Sequence, residues 1–144
     1  MKGTTMGHVI VTIKVENYVD WVQARSSKKR KKPRVRTIVV PDALVDTGAT
    51  HLSLPSRWIK ELGLVPYPTE VRAEIASGTV TRKMYGGAWL TIDDRSEECA
   101  VIELPDSAPA LIGVIPLEGL DYIVDPIEQK LVGKHGRKRV CLLY

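Results

Sequence analysis

The chain has 144 residues, 44% of them apolar and 26% charged, which fits a single domain with its own core and excludes a disordered chain. No apolar run approaches the ~20 residues a membrane-spanning helix needs, and the opening "MKGTTMGHVIVTIKVEN" lacks the long apolar centre and small-residue cleavage site of a secretory leader, so a cytoplasmic protein with no membrane partner is expected. The net charge of +4 has one source: residues 24–36, "ARSSKKRKKPRVR", hold eight of the 21 basic residues and no acid, which leaves 13 basic against 17 acidic residues elsewhere.

In chain order, "HVIVTIKVEN" is β-branched and alternates weakly, as a strand does. "YVDWVQARSSKKRKKPR" breaks the pattern, and its centre reads as a solvated hairpin tip or an insertion held extended by its own repulsion. "VRTIVVPDALVD" resumes strand character, with Pro41 and Asp42 marking a kink or bulge. "PSRWIKELGL" predicts a short helix started by Pro55, striped by Trp58, Ile59 and Leu62, and capped by Gly63. Two extended arms flank "ASG" in "TEVRAEIASGTVTRKMYGG", a hairpin. "AWLTIDDRSEECAVIELP" gives two more strands around an acidic turn. "PALIGVIPLEGLDYIVDP" gives an apolar run, a helical turn near Leu117 and a strand, and "QKLVGKHGRKRVCLLY" a last extended piece with a second, weaker basic cluster. Many short strands with one or two short helices predict an all-β barrel or sandwich, a single domain over 1–144.

Cys99 and Cys141 fit no metal spacing and read as free thiols, and His8, His51 and His135 give no zinc signature, so neither a metal nor another cofactor is expected. Trp58 and Trp89 read as core residues rather than a substrate platform.

The stretch "ALVDTGATHLSLP", residues 43–55, carries the chemistry. A buried run enters Asp46 directly, so the carboxylate stands at a strand end, partly out of water. There an ionised acid is costly unless it is hydrogen-bonded or shares a proton. Gly48, two residues on, lets backbone N–H groups come close to it. An Asp-Thr-Gly triplet alone is an ordinary turn; the apolar approach is what suggests a fixed cradle. His51 reads as a turn or surface residue.

"LVDTGAT" resembles the active-site signature of retropepsin-like aspartic proteases, and three further segments are similar to that family in order and spacing: "EIASGTV" at the flap hairpin, "LIG" at 111–113, and "VIPLEGLDYIVDPIEQKL" at the short helix and closing strand of cellular single-domain members. The likeness covers roughly residues 8–132. It implies a closed acid-protease barrel, one lobe per chain. The basic stretch is longer than in that family, the flap has only Gly78 at its tip, and residues 133–144 have no counterpart.

The resemblance also implies a mechanism. An aspartic protease needs two carboxylates around one water, and close like charges share one proton, which leaves one acid and one base. The chain has one Asp-Thr-Gly, so a homodimer is implied, with Asp46 of both copies on the twofold axis. In that reading Asp46 is catalytic, Thr47 bonds across the axis, and Gly48 and Ala49 complete the loop. Ala76, Ser77, Gly78 and Thr79 cover a protein or peptide substrate, and Leu111, Ile112 and Gly113 pack beneath the loop. Two other readings compete: a nucleic-acid-binding module using residues 25–36, less favoured because the run has no interleaved aromatics, and a non-catalytic dimeric scaffold on the same fold.

Overall fold

The computed structural model describes residues 9–143. Expectations for residues 1–8, including the start of the first strand and His8, and for Tyr144, lie outside the described residues.

The chain is mostly β. Strand β1 (Val9–Asn17) runs into helix α1 (Tyr18–Ser26), and β2 (Thr37–Val45) follows. Then come β3 (Leu52–Pro55), α2 (Ser56–Leu62), β4 (Val65–Pro66), and the hairpin β5 (Val71–Ile75) and β6 (Gly78–Arg82). The long strands β7 (Met84–Ile92) and β8 (Arg95–Leu104) precede β9 (Leu111–Ile112), α3 (Val114–Gly119), β10 (Tyr122–Asp125) and β11 (Lys130–Gly133).

Six strands pair in the order β1-β2-β9-β3-β8-β7, and β7 pairs back onto β1, so the barrel closes; β4 adds to the outside of β7. Two of the pairings, β9 with β2 and β3 with β8, are parallel. The inward set is aliphatic: Ile13, Val15, Val40, Leu52, Leu54, Leu90, Ile92, Val101 and Ile112 are all buried. The barrel removes its own edges in this way, and the short β9 is buried between two neighbours.

The phase of β2 decides where the chemistry points. Ile38 and Val40 are buried, Pro41 and Asp42 are both exposed, and then Ala43 and Val45 are buried. The register against β1 shifts at the same place, Val11 facing Ala43 and Ile13 facing Val40. This bulge moves the buried positions from even to odd numbers. Without it the even phase would continue through Leu44 to Asp46 and turn the carboxylate into the core. With it, Asp46 leaves the strand on the open side. The sequence expectation of a bulge at Pro41 and Asp42 holds.

Helix α2 forms as expected: Ile59 and Leu62 are buried, and Gly63 closes the helix in the left-handed region at φ 64°. Asn17 ties two elements together, accepting the Asp20 N–H at 2.9 Å to cap α1 and donating Nδ2 to the Leu62 carbonyl at 2.9 Å.

The structure corrects the reading of residues 18–36. Among the described residues there are three short helices rather than one or two, and α1 is the addition. None of its residues is buried, so no apolar stripe announces it. It is held by the Asn17 cap and by stacking of Tyr18 and Trp21 on Trp89, the two indoles 4.1 Å apart. Trp89 is therefore a half-buried residue on the outside of the barrel under α1, not a core residue, whereas Trp58 packs against the core. Lys28 to Arg34 are exposed as expected, but Arg36 is pinned: its Nε lies 2.7 Å and its NH2 3.0 Å from the Asp20 carboxylate, which closes the stem of the excursion.

The final extended piece is also shorter than expected, since strand structure ends at Gly133. Beyond it the chain is anchored by side chains. Buried Arg95 donates to the carbonyls of Leu120, Asp121, Gly136 and Arg137, and buried Asp121 accepts from the Val140 N–H at 3.0 Å and meets His135 Nδ1 at 2.8 Å. Burial alone would push the Asp121 carboxyl up; the Val140 N–H, His135 and Arg95 outweigh it and hold it below its ordinary value of 3.8.

The anchor should therefore respond to acid in a defined direction. A depressed carboxyl binds fewer protons folded than unfolded, so its contribution is complete above pH 3.8 and is lost as pH falls through the lower folded value. Hydrogen exchange should show the Val140 amide protected at about pH 5, with protection falling only as pH drops below 3.8 and weakened at about pH 5 in Asp121→Asn. Undiminished protection in that variant would show that the carboxylate does not hold the tail.

Candidate active site

Asp46 is the first residue after β2 and is exposed at the mouth of a cleft of about 600 Å³. Its Oδ1 accepts the Gly48 N–H at 2.9 Å, and its own carbonyl accepts the Ala49 N–H at 3.0 Å. The carboxylate is thus held by the tight loop that follows it, with Thr47 and Gly48 at the turn.

A second segment fixes that loop from below. The Asp46 N–H donates to the Ile112 carbonyl at 2.9 Å, Gly113 N–H to His51 at 3.0 Å, Val114 N–H to Ala49 at 3.0 Å and Ile115 N–H to Thr50 at 2.9 Å. Leu111 and Ile112 lie between β2 and β3, paired with Leu44 and Val45 on one side and Ser53 and Leu52 on the other. Gly113 is buried, and a Cβ on it would come within 2.6 Å of the Ala49 carbonyl oxygen and the Thr50 carbonyl carbon. Glycine is required there because two backbones meet. Residues 111–113 thus lie beneath the loop.

The hairpin β5–β6 stands over the cleft with Ala76 and Ser77 as its two-residue turn. Its arms, Val71 to Ile75 and Arg82, line the cleft, while the tip residues Ala76, Ser77, Gly78 and Thr79 are exposed and do not. Nothing lies within 4 Å of a Cβ built at Gly78. His51, expected at a turn or on the surface, sits at a bend, half-buried, and lines the cleft. Sequence reasoning did not name Arg82, Met84, Ile102 or Leu104, which complete the wall; the cross-strand pairing that brings them there is not written in any one segment.

Two carboxylates face this cleft among the described residues, Asp46 and Glu74. Glu74 accepts the Thr79 hydroxyl at 2.7 Å within the hairpin. On its other side the loop borders a second hollow of about 590 Å³, lined by Thr47 together with Leu117, Ile123, Val140 and Leu142. Ile123, Val140 and Leu142 are exposed there, Leu142 at 58%. No helix is long and apolar enough to cross a membrane among the described residues.

A family model described as "Aspartyl protease" matches residues 36–115, more than half of the chain, from the start of β2 to the first turn of α3. No curated protein matches the chain.

Proposed function

We propose that this chain, which belongs to the aspartyl protease family, is an endopeptidase that works as a homodimer, each copy supplying one Asp46 to a shared catalytic pair. The observation that carries the reading is the single cradled carboxylate at the mouth of a cleft. Its site is half complete: Glu74 is engaged by Thr79, and a second Asp46 from a twofold-related copy supplies the missing acid. The apolar residues around Thr47 support this, because a second copy placed across Thr47 would cover Ile123, Val140 and Leu142.

The chemistry uses one water and the one proton that the pair retains. The ionised carboxylate takes a proton from the water as its oxygen attacks the peptide carbonyl carbon, and the protonated carboxyl gives its proton to the carbonyl oxygen. The resulting diol returns a proton to the ionised partner, the other carboxyl protonates the leaving nitrogen, and the C–N bond breaks. The pair again holds one proton. The Gly48 N–H keeps each carboxylate in place, and the hairpin arms exclude water from the bound peptide.

Dilution tests the dimer. Specific activity on a quenched fluorescent peptide should fall in step with the dimer fraction measured by sedimentation at the same concentrations. Undiminished specific activity from a monomer would overturn the shared site.

A further inference from the structure

The hairpin over the cleft has two faces, and their chemistry differs. Pairing sets Val71 opposite Arg82, Ala73 opposite Val80 and Ile75 opposite Gly78, and directly opposed residues share a face. Val71, Ala73, Val80 and Arg82 are half-buried, whereas Arg72, Glu74, Thr79 and Thr81 on the other face are exposed. The inner face is therefore apolar except at Arg82, which lines the cleft with Asp46; Arg72 and Glu74 border the same cleft from the exposed face.

The arginines that fasten elements together have partners, and Arg72, which borders the same cleft without an ion pair among the described residues, is exposed to water. Arg95 holds four carbonyls, Arg36 holds Asp20, Arg57 holds Asp106 and Arg139 holds Glu97. Among the described residues Arg82 has neither an ion pair nor a side-chain hydrogen bond, although it is partly withdrawn from water. A guanidinium stays charged at any working pH, and its desolvation is costly until a carboxylate meets it. The acids on the far side of Arg82, in a shallow groove, are Glu70 and Glu103, and Lys83 stands with them. Glu103 is taken up by the Ser56 hydroxyl at 2.7 Å.

We infer that Arg82 binds a carboxylate of the substrate, so that the cleft selects peptides with an acidic side chain near the scissile bond. The inference rests on the endopeptidase reading of the cleft. The planar fork of arginine suits a carboxylate held by two parallel hydrogen bonds. In a twofold dimer the two Arg82 residues lie on opposite sides of the catalytic pair, so acid is read at two positions equally distant from the scissile bond.

A neutral peptide amidated at its C-terminus, with a single Glu or Gln walked through each position, tests this. The kcat/KM ratio of Glu over Gln should reach about tenfold at two symmetric positions, fall toward one in Arg82→Gln, and invert in Arg82→Glu. It should also shrink with added salt. A free-acid Gln peptide separates the chain-end carboxylate from a side chain: preference for that peptide alone would overturn the side-chain assignment. Binding of the same peptides to Asp46→Asn, followed by fluorescence anisotropy, reads the inference without turnover. There the Glu peptides should bind about tenfold tighter, and the advantage should vanish in the Asp46→Asn, Arg82→Gln double variant. Equal affinities for Glu and Gln peptides would overturn the role of Arg82 whatever the turnover. Absence of cleavage with the binding preference intact would overturn the endopeptidase reading and leave Arg82 as the carboxylate site.

Discussion

Asp46→Asn should lower kcat on a cleavable peptide by about a thousandfold or more, the scale of a lost general acid–base group, while fold and dimer persist. The amide has the size of the carboxylate, and its oxygen can still accept the Gly48 N–H that now stands 2.9 Å from Oδ1. What it cannot do is take a proton from water. With an Asn in each copy, the pair has neither an ionised base nor a proton to share. The variant should therefore keep the circular dichroism spectrum, sedimentation behaviour and peptide binding of the parent. A mixed dimer with one Asp46 and one Asn should also be impaired, because one carboxylate cannot act as acid and base in the same step. Cleavage at the parental rate by the pure variant would remove Asp46 from the proposed pair.

The strands were legible because their burial is one-sided. β1 buries Val9, Ile13, Val15 and Asn17 and leaves the residues between exposed or half-buried, and α2 carries its start and stop in Pro55 and Gly63. The bulge at Pro41 and Asp42 was legible for a related reason: proline cannot serve a central ladder, so its presence inside a strand marks a break. The effect of that break on the direction of Asp46 needed the register. Helix α1 escaped because it buries nothing. It is made by a cap and by three rings drawn from residues 18, 21 and 89, and no local window holds all three. The anchored tail escaped for the same physical reason, since Arg95, Asp121, His135 and Val140 come from three separate segments.

The candidate site divides in the same way. Asp46, Gly48 and Gly113 could be named from short strings because their roles are local: a carboxylate at a strand end, an N–H two residues on, a backbone contact. Arg82 could not, because its meaning lies in the pairing with Val71 and the half-buried face they share. The family match runs over residues 36–115 and so covers the cradle, the hairpin and Gly113, but neither the basic excursion up to Val35 nor the tail. The basic excursion and the tail lie outside the matched barrel segment, on elements fastened to it by Arg36 and Arg95.

Gly113→Ala should cost about 2–3 kcal/mol, in the upper part of the range for forced overpacking, and should damage activity more than stability. A methyl at Gly113 would meet the Ala49 carbonyl oxygen at 2.6 Å, the Thr50 carbonyl carbon at 2.6 Å and the Ala49 carbonyl carbon at 2.7 Å. All three are backbone atoms, so no rotamer change relieves the clash. Either the loop from Asp46 to His51 lifts or the segment from Ile112 to Ile115 drops. Both movements strain the bonds from Asp46 N–H to Ile112 and from Val114 N–H to Ala49. The melting temperature, measured at one fixed protein concentration, should fall by roughly 10 °C. The carboxylate moves with its loop, and a displacement of ~1 Å at a reacting group can cost about a hundredfold in kcat/KM. Gly48→Ala is the matched control, because its methyl would meet only Asp46 Oδ1, at 3.2 Å, and a side chain can give where a backbone cannot. Its melting temperature should stay within a few degrees of the parent's, so the stability loss in Gly113→Ala should be several times larger. Equal melting temperatures for Gly113→Ala and the parent, with equal kcat/KM, would show that the two backbones do not meet as described and that Asp46 is positioned by something other than this contact.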